Sequence, residues 1–173
     1  MLNLKNRFVL ASILIVIAAL SRLIPHPYNF SPIDGLALFA GSTLWPKRFF
    51  AFLVPLLALF LGDLALGFHS TMPFVYGSVA IMVLLGVKLG SKPGVSSLFQ
   101  MSLLSSVIFF LVTNFGFWIT TPAYPRNAIG LMECYTAALP FFHWTVLGDF
   151  VFTFGLFTAF SKIESFALSR DAA

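Results

Sequence analysis

The sequence predicts an all-α membrane protein: a single domain over residues 1–173, built as a bundle of six transmembrane helices with both termini in the cytoplasm. Three observations carry that prediction. First, the chain is 59% hydrophobic and only 9% charged, whereas charged residues make up about a quarter of a soluble domain. A soluble fold of this size leaves too much surface exposed to hide so many apolar side chains. Second, the apolar residues come in long runs separated by turn-forming residues, and a span needs roughly 20 mostly apolar residues. Third, the basic residues sit at the ends of those runs and fall mainly on one side.

The spans follow in order at 8–24, 32–45, 49–67, 72–87, 95–120 and 141–160. The last is preceded by a short outer helical piece, 128–139, that Pro140 is expected to end. Pro46-Lys47-Arg48, His69-Ser70-Thr71, Ser91-Lys92-Pro93-Gly94 and Pro122-Ala123-Tyr124-Pro125 mark turns between them. The second span is short, and charge decides its status. If it crosses, Lys5, Arg7, Lys47, Arg48, Lys88, Lys92, Lys162 and Arg170 share one side, and only Arg22 and Arg126 face the other. If it is re-entrant, four of those residues move across and the positive-inside bias vanishes. The second helix is therefore read as a crossing one, shielded by its neighbours. Lys5, Arg7 and the small residues around Ala19-Leu20-Ser21 also have the look of a signal peptide. Its removal would leave five spans and spoil the charge pattern, so the segment is read as the first helix.

This topology gathers the polar residues at the outer mouth. Arg22 ends the first helix, and His26 and Asn29 lie in the first outer loop. Asp63 and His69 sit at the outer end of the third helix, Asn114 and Arg126 at that of the fifth, and Glu133, His143 and Asp149 at the start of the sixth. Four of the six acidic residues are outer; Glu164 and Asp171 fall in a cytoplasmic tail. Leu61-Gly62-Asp63-Leu64 and Leu147-Gly148-Asp149-Phe150 each place a carboxylate after a glycine inside an apolar helix. Carboxylates in a span face the bundle interior or a wet cavity, and the glycine lets another backbone approach. Each aspartate either pairs with Arg22, Arg126 or a helix N-terminus to hold the bundle, or contacts a ligand. Asp34 reads as part of a helix start, since Ser31-Pro32-Ile33-Asp34 has a capping serine, a first-turn proline and an acid three residues after the cap. Ala37 and Gly41 have the spacing that lets helices close together or a partner dock.

The single cysteine, Cys134, excludes an intrachain disulfide and a cysteine-rich metal cluster. It reads as a small buried hydrophobe, with a soft metal ligand as the sharper alternative. The net charge of +4 is a topology signal and not a nucleic-acid one. No HExxH, GxSxG, P-loop or GxGxxG pattern appears, so no cofactor is expected and binding or transport is favoured over catalysis.

The strings IPHPYNFSPIDGLALFAG, FLVPLLALFLGDLALGFHSTMPFVYGS and FFLVTNFGFWITTPAYPRNAIGLMECYTAALPFFHWTVLGDFVF resemble an uncharacterised family of small bacterial six-span membrane proteins. That family is itself similar to the substrate-binding S components of energy-coupling-factor vitamin transporters. The resemblance covers roughly residues 22–160. It implies an outward-opening pocket in the bacterial inner (cytoplasmic) membrane that captures a vitamin, precursor or metal complex. S components that dock on an ATP-driven module usually carry Ala-x-x-x-Ala on the first helix. Ala11, Ala18 and Ala19 form no such pair here, so the partner is either that module or none. In a solitary, cobalamin-type transporter Cys134 would be the soft ligand.

The expected function is capture and uptake of a small solute by Arg22, Asp63, Asn114, Arg126 and Asp149, with weaker parts for His26, Asn29, His69, Glu133 and His143. Two other classes remain open: a membrane-embedded enzyme using Asp63 and Asp149 as acid and base, and a non-catalytic subunit of a membrane complex.

Overall fold

The computed structural model describes residues 4–171 and is all-helical over them. The helices are α1 (Leu4–Leu20), α2 (Ile33–Leu44), α3 (Arg48–Leu66), α4 (Met72–Leu89), α5 (Val95–Thr120) and α6 (Ala128–Asp171), with 3₁₀ turns at Ser21–Leu23 and Trp45–Lys47. Five stretches are long and apolar enough to cross a membrane: Asn6–Leu23, Arg48–Leu66, Met72–Leu89, Val95–Thr120 and Ala128–Ala167. The side chains of Lys5, Arg170 and Asp171, which entered the charge reading, lie outside the described residues.

α2 is the exception, and it organises the rest. Its twelve residues give a rod of about 18 Å, well short of the roughly 30 Å hydrocarbon core. Every residue of it except Thr43 is buried, as a helix apolar on all sides requires. It packs on each of the other five helices. Those five close a ring around it in the order α1, α3, α4, α5, α6 and back to α1.

Close approach at the centre rests on small residues. A Cβ on Gly41 of α2 would overlap the Val83 carbonyl of α4, and one on Gly86 of α4 would overlap the Leu38 carbonyl of α2. The spacing of Ala37 and Gly41 therefore serves contact inside the bundle; both are buried and leave no face for an outside partner. Around the outside, Ile13, Ile17, Leu61, Leu64, Phe99 and Leu111 are exposed. An apolar outer surface of this kind belongs in lipid, and the protein is a multi-pass membrane protein.

Two sequence expectations change. Pro140 lies inside α6 and does not end it: the helix runs unbroken for 44 residues. A proline removes one backbone hydrogen bond, and a helix held by α5 on both sides of the proline, at Tyr135 and Phe142, tolerates that loss. Glu164, assigned to a tail, is consequently helical and buried, and its carboxylate pairs with Arg7 of α1 at 3.1 Å.

The ends of the bundle differ. At one, Ser42 donates to the Gly90 carbonyl, Arg7 meets Glu164, and Lys47 stacks over Phe8. At the other, the segment 24–32 lies across the helix tops. It contains Asn29 at φ 66°, the one non-glycine residue with positive φ among those described. Asparagine is among the few residues that adopt this left-handed conformation at modest strain.

Candidate functional site

The stretch from Arg22 to Asp34 is anchored at both ends on the two Leu-Gly-Asp motifs. At its start, Arg22 lies over α3. Its Nη2 donates to Asp63 Oδ1 at 2.9 Å and its Nη1 to the Leu59 carbonyl at 3.3 Å. Gly62 makes the room: a Cβ there would stand 2.9 Å from Arg22 Nη1. The other Asp63 oxygen accepts from Tyr76 Oη of α4 at 2.8 Å. Asp63 is 2% exposed, so the ion pair joins three helices away from solvent.

At its end, the chain itself presses on α6. A Cβ on Gly148 would come within 2.9 Å of the Ser31 backbone nitrogen. Only this second glycine admits a backbone; Gly62 admits a side chain. Asp149 takes no arginine. It accepts a hydrogen bond from Ser106 of α5, and its carboxyl stands within hydrogen-bonding reach of that of Asp34.

Asp34 departs from its expected role. Helix α2 starts at Ile33, whose N–H donates to Ser31 Oγ at 3.4 Å, so the serine keeps a capping contact as expected. Asp34 is the second helical residue. Its carboxyl is turned into the bundle, 2% exposed, with Oδ1 unpartnered. Sequence reasoning missed this residue, and with it Ser102, Ser105, Ser106 and Thr153, all completely buried. A signal was present. Ser102, Ser105 and Ser106 share one face of α5, as Asp149 and Thr153 do of α6.

The remaining candidates scatter. Asn29 and Asn114 meet at a cleft of about 230 Å³ walled by Phe110, Phe117, Thr71 and Thr145. Asn114 donates its amide nitrogen to the Phe110 carbonyl one turn back, at 2.8 Å. Arg126 lies over the Trp118 ring, 5.7 Å from its centroid, apart from both aspartates. His26 and His69 are exposed and occupied locally, by the Pro27 carbonyl and Thr71 Oγ1. Glu133 is exposed, and His143 is exposed beside the Trp144 ring. Cys134 is buried against the Asn114 carbonyl, at 3.5 Å. No cluster of three or more metal-binding side chains occurs among the described residues.

The polar equipment thus divides in three: the Arg22–Asp63–Tyr76 tie, the buried Asp34–Asp149 pair, and a neutral cleft at Asn29 and Asn114. Comparison with known proteins places the chain but not the activity. The model of a family of unknown function (DUF6580) matches residues 2–169. The chain belongs to that family. No curated protein and no solved structure matches it.

Proposed function

We propose that the protein captures a small solute from the outer side of a bacterial inner membrane and helps move it inward, in the manner of the S components it resembles. On this reading the chain crosses six times with both termini cytoplasmic, α2 and its flanking turn making the second crossing. Charge supports the orientation. Arg7, Lys47, Arg48, Lys88, Lys92 and Lys162 belong to the end where Ser42 meets Gly90, and Arg22 and Arg126 to the other, which is the positive-inside pattern.

The observation that carries the proposal is the cleft at Asn29 and Asn114. It lies at the outer end, where a solute would arrive. Its rim offers amide and hydroxyl groups and its walls are aromatic, a combination typical of small-molecule sites. Its chemistry narrows the solute. Arg22 is committed to Asp63 and Arg126 lies over Trp118, and neither lines the cleft. Asn29, Asn114 and Thr145 suit an uncharged polar or aromatic molecule. A volume of about 230 Å³ is under the roughly 300–1,000 Å³ of pockets for drug-sized ligands. A vitamin-sized solute therefore requires segment 24–32 to lift.

The test is mass spectrometry of small molecules that co-purify with the gently extracted protein. A specific compound retained by the wild type and lost in Asn114→Ala and Thr145→Ala is the expected result. Empty preparations together with a stoichiometric protein subunit would replace this reading with that of a subunit of a larger complex. The acid–base enzyme reading gains nothing from the geometry, since Asp63 and Asp149 take separate partners and neither lines the cleft.

A further inference from the structure

Part-way along the bundle, three helices bring oxygen atoms together and leave several unused. α2 opens with Asp34. Its neighbour Gly35 sits so close to α6 that an added Cβ would stand 2.8 Å from the Thr153 backbone nitrogen. Asp149 and Thr153, four residues apart, share a face of α6. Ser106 of α5 donates to Asp149. Because α5 and α6 run antiparallel through the short 121–127 turn, Ser102, one turn before Ser106, falls at the level of Thr153. Asp34 and Asp149 are 2% exposed and Ser102, Ser106 and Thr153 are 0% exposed. Asp34 Oδ1, Ser102 Oγ and Thr153 Oγ1 have no hydrogen-bond partner.

Two carboxyls that meet out of water cannot both stay ionised without a compensating positive charge. The described residues supply none. On α1, Arg7 is held by Glu164, and Arg22 beyond it by Asp63. On α3, Arg48 stacks over Trp45 at the opposite end. On α4, Tyr76 is bound to Asp63 and Lys88 is exposed at the opposite end. α5 carries no ionisable side chain. On α6, His143, Glu133 and Lys162 are exposed, and Cys134 and Tyr135 bond to carbonyls of α5.

We propose that Asp34 and Asp149, with the hydroxyls of Ser102, Ser106 and Thr153, form a site for one small monovalent cation, sodium or a proton. Oxygen donors are what hard cations take. A divalent ion fits poorly: magnesium gives up its water reluctantly, and calcium takes six to eight oxygens. Asp34 lies in the first turn of the half-length helix α2, where the N-terminal N–H groups favour the ionised carboxylate, so it is the carboxyl oxygens and the hydroxyls, not the helix end, that would meet a cation. Ionisable groups at such depth commonly mark ion or proton pathways. A cation bound here would hold α2, α5 and α6 together, and its release would loosen α2 beneath segment 24–32.

The site stands whether or not the outer cleft takes a solute, and it is tested by cation binding itself. The purified full chain in detergent is titrated with sodium chloride against choline chloride at constant ionic strength, followed by calorimetry. In parallel, the infrared stretch of protonated carboxyl groups is followed from acid to alkaline pH. For sodium, a saturable heat is expected that disappears in Asp149→Asn and weakens about tenfold in Thr153→Val and Ser102→Ala, the scale of losing a supporting ligand. For a proton, no sodium heat is expected, and a titrating carboxyl band disappears in Asp34→Asn and shifts in Ser106→Ala. The hydroxyl variants keep the test decisive if a carboxyl variant does not fold. Neither signal in the wild type, or signals that all five hydroxyl and carboxyl variants leave unchanged, overturns the site.

Discussion

Arg22 Nη2 lies 2.9 Å from Asp63 Oδ1, and this pair fastens the end of the first helix across the third. The Arg22 side chain is 12% exposed and that of Asp63 2%, so the carboxylate depends on its partner. Removing one member of a buried pair leaves an uncompensated charge and costs about 3–5 kcal/mol. Arg22→Ala should therefore lower the thermal midpoint in detergent strongly, with only Tyr76 left on Asp63. Asp63→Asn should cost less, and Arg22→Ala combined with Asp63→Asn should recover part of the loss. Additive losses in the double variant would show that the two side chains do not depend on each other.

The crossing of α2 and α4 makes the second prediction. A Cβ on Gly86 would overlap the Leu38 carbonyl, which is backbone and cannot turn aside. Gly86→Ala should force the two helices apart and cost about 1–3 kcal/mol, the range for overpacking. Gly77 and Gly155 have nothing within 4 Å of an added Cβ. Gly77→Ala and Gly155→Ala should leave the thermal midpoint unchanged or raise it slightly through helix propensity. Equal losses at all three positions would mean that glycine acts here through backbone flexibility and not through space.

Much of the architecture was legible because it is written in long apolar runs. Four of the five long stretches begin and end near the expected residues, whereas the last, expected at 141–160, is part of one helix over Ala128–Asp171; the shortness and shielding of α2 follow from twelve mostly apolar residues. What was misread involves residues with two physical roles. Ser31-Pro32-Ile33-Asp34 has the composition of a capping box, but the helix starts one residue later than that pattern requires. Ser31 Oγ still meets the Ile33 N–H, while the Asp34 carboxyl is turned into the bundle interior. Pro140 was taken as a stop, although a proline can be carried inside a helix that its neighbours support. Asp63 and Asp149 looked equivalent in their Leu-Gly-Asp settings. Only the tertiary structure separates them, since what each glycine admits, a side chain at Gly62 and a backbone at Gly148, is set by segments distant in sequence.

Segment 24–32 gives the third prediction. Asn29 holds φ 66° at the rim of the cleft. Glycine occupies this region without penalty and a β-branched residue does not. Asn29→Gly should keep the stability within about 0.5 kcal/mol of the wild type, whereas Asn29→Val should lose about 1–2 kcal/mol. If the amide itself contacts the solute, Asn29→Gly lowers solute retention although stability is kept. Comparison of the two variants by thermal unfolding and by co-purified ligand separates the conformational role of Asn29 from its binding role.

The orientation of the bundle makes the last prediction. If both termini are cytoplasmic, the 121–127 turn is outside and the 90–94 turn inside; if the bundle is inserted the other way round, the two exchange. Both turns carry an exposed basic residue, Arg126 and Lys92, that a cysteine can replace without opening the core. Cys134 is replaced by serine so that each variant holds one thiol; its hydroxyl keeps the polar contact that Cys134 makes with the Asn114 carbonyl. A membrane-impermeant maleimide applied to intact spheroplasts should label Arg126→Cys fully and Lys92→Cys only after lysis. The reverse pattern would place the Lys92 turn outside and, because Ser42 of α2 meets Gly90 at the end opposite the Arg22–Asp63 pair, would invert the orientation of the whole bundle. It would also put the cleft at Asn29 and Asn114 on the cytoplasmic side, where capture of an external solute is no longer possible.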